Sequence, residues 1–493
     1  MEFTKNQLLE LEITDISETG EGIGHVDGYT LFVKDALVGD EVSALITKAK
    51  KNYSYARVNK IIKSSPDRVE PKCSNASRCG GCQIQALSYD AQLRYKQDKV
   101  FNDLIRIGGF AKEDIEKVME PIVGADKDGI YRYRNKAQFP VGTDRDGNVI
   151  SGFYAGRTHS IIPCDDCYIG IEENAVILDS ILEYMRKNAV TAYDEKTLKG
   201  IVRHVLIRKG FTTGQIMVCL VLASKGKVTY SNDYAQLSVL PNQDELVSAL
   251  SAINGVYSIC VSINTENTNV IMGNEIHLLY GSKTISDYIH LRNVNNDFEL
   301  QDKEGIRFDI SPLSFYQVNP VQVEKLYSIA LDYAGLNGNE EIWDLCCGIG
   351  TISLCAAKYL KNMNANSTGI VHGIEIVPQA IEDAKSNAFI NKIDNVEFVC
   401  AAAEEYLPAH RDEIKADVII MDPPRKGMDV KALEVVVLAS PDKIVYISCD
   451  PATLARDLKY LCENGYEIVR VRPTDMFMHS VHVETVCLLS RKS

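Results

Sequence analysis

Across its 493 residues the chain has no apolar run approaching the ~20 residues that span a bilayer, which argues against a membrane-spanning helix. The start, MEFTKNQLLELEITD, is acidic and polar and lacks the apolar core of a signal peptide, so a cytoplasmic protein is expected. Positive charge is also scarce. With 53 Lys and Arg against 67 Asp and Glu the net charge is −14, which argues against a nucleic-acid partner unless basic residues are concentrated locally. Internal repeats, low-complexity stretches and coiled-coil heptads are missing too, so solenoid and fibrous architectures are set aside. Disulfides are not expected, because a reducing compartment keeps the fourteen cysteines as thiols, some in cores and some as ligands.

What is present has three distinct rhythms, as a chain of two to four domains at ~100–200 residues each would show. Residues 8–63 alternate short β-rich runs with glycines and turns (LLELEITDIS, GEGIGHVDGYTLFV, GDEVSALITKAKK, YSYARVNKIIK), which predicts a small OB-like β-barrel over 1–63. SSPDRVEPKC reads as a linker. A central α+β region over 70–300 follows, with a helix near 85–108, strands near 134–141 and 148–154, and later strands in GIVRHVLIRKG, QIMVCLVLAS, GVYSICVSIN and EIHLLYG. In the last part, 301–493, apolar strands alternate with amphipathic helices, the pattern of a doubly wound, mostly parallel sheet. The final two strands are joined too closely for a helical crossover and should pair antiparallel. The fold class expected is therefore α/β multidomain.

Local charge departs from the whole-chain balance. Between Glu41 and Asp67 lie six basic residues (Lys48, Lys50, Lys51, Arg57, Lys60, Lys63) and no acidic one, with Tyr53 and Tyr55 among them. YRYRNKAQF at 131–139 repeats the mixture. A solvated strand surface and an RNA contact both have this composition.

The chemistry gathers in the last third. DLCCGIGTISL is a glycine-rich turn from a first strand into a first helix, but the third glycine of a dinucleotide fingerprint would fall at Ser353. The second strand ends in Glu375, placed to accept both hydroxyls of a ribose, and the fourth ends in MDPPR. This set resembles the S-adenosylmethionine-binding fold of class I methyltransferases. Amine methylases follow the double proline with an aromatic residue, where Arg425 stands here, and RNA cytosine-5 methylases have a cysteine where Asp422 stands. Cys449, at the end of VYISC, then acquires a use. A thiolate adding to C6 of uracil makes C5 nucleophilic enough to take a methyl group, and a carboxylate such as Glu484 can remove the C5 proton.

SFYQVNP, DLCCGIG, DPPRKG, SCDPATLARDL and DMFMHSVHVETVCLL together resemble the RNA uracil-5-methyltransferase family that modifies 23S rRNA, over nearly the whole chain and including an N-terminal TRAM-like barrel. The resemblance implies Cys449 as nucleophile and Glu484 as base. It implies Gln317, Asp344, Cys346, Gly348, Glu375 and Asp422 at the S-adenosylmethionine and target-base site, with Phe315 against the base. Two residues depart from the family pattern: Asp450 stands for the usual Asn and Met478 for the usual Pro. The runner-up substrate is the T-loop uridine of tRNA, and a non-catalytic RNA-binding protein is the alternative from another class.

CSNASRCGGC supplies three thiols, Cys73, Cys79 and Cys82, with glycines that let the backbone fold round a cluster. PCDDCYIG supplies a fourth, Cys164 or Cys167, and the resemblance favours Cys167 in a 4Fe-4S cluster. Zinc or plain core thiols are the rival readings. The Cys-x3-Cys-x2-Cys spacing of radical enzymes is absent.

Overall fold

The computed structural model describes residues 3–156, 158–363, 367–410 and 414–492. Strands Leu8–Ile16, Gly22–Val26, Tyr29–Lys34, Glu41–Ala49 and Tyr53–Lys63 form a closed barrel, sealed by antiparallel pairing of the first strand with the fourth. Ile13, Leu31, Val33, Ala44 and Ile46 alternate inward to fill it, and closure leaves no strand edge.

The central sheet has seven strands in the order Glu275–Gly281, Val256–Ile263, Ile216–Leu222, Val202–Lys209, Lys136–Thr143, Val149–Tyr154, Ile161–Pro163. IMVCLVL is buried at every position, as a strand covered on both faces must be. Val205, Ile207, Val218 and Leu220 pack against helix Glu173–Lys187. Leu206, Met217, Cys219 and Cys260, pointing the other way, share a core with Phe308, Tyr316 and the helices of the C-terminal sheet.

That second sheet runs Val396–Cys400, Ile370–Glu375, Glu341–Leu345, Val418–Met421, Lys443–Ser448, Glu484–Arg491, Tyr466–Thr474. The first five strands are parallel, and the last two form the expected antiparallel pair, with the final strand inserted beside the fifth. The helix anticipated near 85–108 forms at Tyr89–Arg106, but it packs on helix Pro451–Glu463 and strand Tyr466–Thr474, not on the central sheet. Among the described residues no helix after Tyr466–Thr474 covers its apolar face. Val100, Leu104 and Ile115 cover it instead, and Met119 and Val123 bridge to Val471 and Thr474. Among the described residues no helix is long and apolar enough to cross a membrane.

Candidate active site

Of the expected cofactor residues, Asp344, Cys346, Gly348, Glu375 and Asp422 lie at the carboxyl ends of the parallel strands, where open α/β sheets collect ligands, whereas Gln317 lies in the irregular segment before helix Pro320–Ala334. After Leu345 the chain turns with Cys346 in the left-handed region (φ 71°), and Gly348 follows at φ 56°. A Cβ placed on Gly348 would meet nothing within 4 Å, so this turn faces open space. Glu375 braces it from the next strand: one carboxylate oxygen accepts the Gly348 N–H at 3.2 Å and the other the Val377 N–H at 3.0 Å. Each oxygen keeps a second lone pair for a ligand hydroxyl. Asp344, fully buried, takes a short hydrogen bond from Ser353 on one oxygen, while its Oδ1 has no partner. Burial pushes Asp344 up to about 7, with Asp422 and Glu375 adding repulsion. A buried carboxyl with an orphan oxygen, beside two further carboxyls, suits a cationic ligand.

Cys449 follows strand Lys443–Ser448, and Ser448 pairs with Thr485 on the final strand. The antiparallel register thus carries Cys449 to the position across from Glu484. Glu484 is 3% exposed, and among the described residues its carboxylate accepts no hydrogen bond. Burial, then the nearby Asp422, raises its pKa well above the carboxylate range. The Cys449 thiol is pushed up to about 12 by burial, then by Glu484 and Asp422; Arg425 pulls the other way. Asp450 is the smallest of the named contributors, because it is engaged as a helix cap. Its Oδ1 accepts the N–H groups of Ala452 at 3.0 Å and Thr453 at 3.1 Å, where the helix dipole favours an anion. Asn and Asp are interchangeable in that role, which accounts for the departure at 450.

The loop 475–483, leading into Glu484, is where three parts of the chain meet. From helix Tyr89–Arg106, the fully buried Lys96 donates to Asp475 (2.5 Å) and to the Phe477 carbonyl (2.9 Å), and Gln92 holds both the backbone and ring of His479. Asn319 and Gln322 donate to the carbonyls of Met476 and Asp475. From YRYRNKAQF, the Tyr133 hydroxyl donates to the Met478 carbonyl and Tyr131 stacks on His479 at 4.6 Å. Met478, the second departure, is 1% exposed and fills an apolar cluster with Tyr133 and Ile169.

A cavity of about 400 Å³ adjoins this loop. Cys73, Cys79, Cys82, Cys164 and Cys167 line it, together with Arg425, Phe477 and His482. Cys82 and Cys167 also pack in the Tyr133–Met478 cluster, which Cys164 does not join. Among the described residues no three His, Cys, Asp or Glu side chains stand so as to hold a metal ion. The cavity's charged lining is entirely basic: Arg134, Lys136 and Arg425.

Known proteins resemble the chain along its whole length. The tRNA (Uracil-5-)-methyltransferase family matches residues 266–492 and the TRAM domain residues 2–58. RNA methyltransferases of Clostridium tetani and Halalkalibacterium halodurans, themselves uncharacterised, are each 43% identical over 99% of this chain and 97% and 98% of their own. The chain belongs to the RNA uracil-5-methyltransferase family. A solved relative, the Pyrococcus abyssi tRNA (uracil-54, C5)-methyltransferase in complex with S-adenosyl-L-homocysteine, is 25% identical, with a TM-score of 0.70 over 97% of this chain and 99% of that one.

Family motifs pointed to the strand-end residues but not to those that hold them. Lys96, Gln92, Asn135 and Arg208 act on loops more than a hundred residues away, and an isolated Lys or Gln in a helix carries no sequence signal. Of the basic residues in YRYRNKAQF, Arg132 is engaged by Asp166 through two 2.6 Å bonds, whereas Lys136 lines the cavity without a carboxylate partner among the described residues. The Lys48–Lys63 strip lies on exposed barrel strands, where Lys63 pairs with Glu41 and Tyr53 and Tyr55 cluster with Phe32.

Proposed function

We propose that this protein methylates C5 of a uridine in 23S rRNA through a covalent adduct between Cys449 and C6. The observation that carries the reading is the strand register that faces Cys449 with the buried, unpartnered Glu484. Cys449 as thiolate adds to C6, giving an enolate whose C5 attacks the methyl donor. Glu484 then takes the C5 proton, the C6–S bond breaks, and the thiolate is released. S-adenosylmethionine supplies an electrophilic methyl on a cationic sulfonium. The chain's fit to it rests on the open Gly348 turn, Glu375, and the orphan oxygen of Asp344, with Cys346, Asp422 and Gln317 completing the site. The basic-lined cavity beside Arg425 and the exposed lysines of the barrel supply local positive charge for RNA in an acidic chain.

Cys73, Cys79, Cys82 and Cys167 are the residues proposed to hold a 4Fe-4S cluster. Support comes from their lining the same cavity and from the shared packing of Cys82 with Cys167. Four thiolates are a suitable donor set, and the cluster would tie the 73–82 loop to the 161–170 segment. A second reading, tRNA as substrate, is favoured by the Pyrococcus relative and the family description. Mapping 5-methyluridine in rRNA and tRNA from cells with and without the gene separates the two.

The mechanism is tested by two variants. Cys449→Ala should bind RNA and S-adenosylmethionine yet form no adduct, whereas Glu484→Gln should add and methylate but release slowly, leaving RNA covalently attached. RNA carrying 5-fluorouridine should trap the wild-type protein, since fluorine cannot leave as a proton. Methylation or fluorouridine trapping by Cys449→Ala would reject the mechanism.

A further inference from the structure

The segment from Ser311 to Val318 has no regular secondary structure, yet it carries the 63% exposed Phe315 and the nearly buried Gln317, whose side-chain amide makes no hydrogen bond among the described residues. An irregular segment does not hold an amide in place by itself; something must fix its backbone. The Ser314 hydroxyl donates to Asp383 on the helix after Glu375, at 2.9 Å. The remaining grip comes from the central sheet. Arg208 donates Nη1 to the Ser311 carbonyl and Nη2 to the Ser314 carbonyl, both at 2.9 Å. Asn135 donates Nδ2 to the Gln317 carbonyl at 2.9 Å and its backbone N–H to the Val318 carbonyl at 2.8 Å. These two residues lie side by side, since Asn135 immediately precedes strand Lys136–Thr143 and Lys136 pairs with Arg208.

Arg208 is 1% exposed, and none of its hydrogen bonds goes to a carboxylate. Burying a cation without an anion is costly, and an apolar residue on that strand would serve the core better. What the guanidinium provides is a planar fork that spans two carbonyls. It pins Ser311 and Ser314, immediately before Phe315, while Asn135 pins Gln317 itself.

We infer that Arg208 and Asn135 are positioning residues that set Gln317 against the uracil and methyl donor, so that the central sheet governs the geometry of methyl transfer. This rests on the reading of the protein as a uracil-5-methyltransferase with Gln317 at the reacting centre. Losing the fork lets Gln317 drift, and misplacement near 1 Å can cost up to ~100-fold in rate.

The test uses full-length protein on the 23S rRNA or tRNA transcript that wild type methylates. Arg208→Lys keeps the charge but loses the fork; Asn135→Ala removes the other grip. Each should lower kcat on the order of tenfold and weaken S-adenosyl-L-homocysteine binding by no more than Gln317→Ala does. The deciding measurement is a double-mutant cycle with Gln317→Ala. If Arg208 acts through Gln317, Arg208→Lys/Gln317→Ala is no slower than Gln317→Ala alone, within about twofold. Wild-type kcat in Arg208→Lys, or losses that multiply in the double variant, overturns the inference. Should Arg208→Lys fail to fold, judged by circular dichroism and thermal melting, the Asn135→Ala cycle decides by the same criterion. A wild-type protein that methylates neither transcript refutes the functional reading instead.

Discussion

Cys449 is a poor nucleophile as the free protein holds it. Burial and two carboxyls keep the thiol protonated, with a pKa near 12. Thiolate therefore gains tenfold per pH unit across the neutral range, and alkylation of Cys449 by iodoacetamide, followed by peptide mass spectrometry, should rise steadily from pH 7 to 10 without a plateau. A plateau below pH 9 would contradict this setting. Asp344 faces the opposite compromise, between stability and binding. Its pKa of about 7, against 3.8 for a free carboxyl, means that the folded state retains a proton through the window from about 4 to 7. Its contribution to stability is therefore present at low pH and falls as pH rises through 7. Asp344→Asn should raise Tm on the order of 2 °C at pH 8 and by less at pH 5, while weakening S-adenosylmethionine binding. Melting curves of both proteins at the two pH values check the sign.

Two elements carry the site: the final strand and the barrel. Glu484–Arg491 lies between Lys443–Ser448 and Tyr466–Thr474, so the residue that faces Cys449 sits in the sheet's interior and is held by ladders on both sides. That rigidity is what a proton acceptor 35 residues along the chain from its partner thiol requires. The barrel does something different. Lys48, Lys50, Lys51, Arg57 and Lys60 are exposed on it, and we expect them to hold RNA by its phosphates. Deleting residues 1–63 should weaken RNA binding and flatten its salt dependence while S-adenosylmethionine affinity persists. Unchanged RNA affinity would make the strip a solvated surface.

At the scale of the whole molecule, the cysteines link segments that the chain keeps far apart: 73–82 and 164–167 line one cavity together with Arg425, Phe477 and His482 from loops of the methyltransferase domain. If Cys73, Cys79, Cys82 and Cys167 bind the proposed cluster, anaerobically purified protein should be brown and contain iron, and Cys82→Ser should lose both. Equimolar zinc without iron would reject the cluster.

How much of this is legible in the chain alone divides by the range of the interaction. Strand and helix order, the antiparallel final pair, the Gly348 turn and the pairing of Cys449 with Glu484 all follow from local periodicity, turn chemistry and family motifs a few residues long. The first three are set by interactions within a few residues, so they survive in a one-dimensional reading, whereas the nearness of Cys449 to Glu484 is expected from the family motifs alone. Helix Tyr89–Arg106 does not: its amphipathic pattern says that it must bury a face, and only the uncovered strand Tyr466–Thr474 decides which. Arg208 likewise reads as one more residue of a buried strand until its fork is seen on two carbonyls more than a hundred residues away. Which cations are left facing the cavity in an acidic protein is settled last, because pairing such as Arg132 with Asp166 is a property of the packed fold.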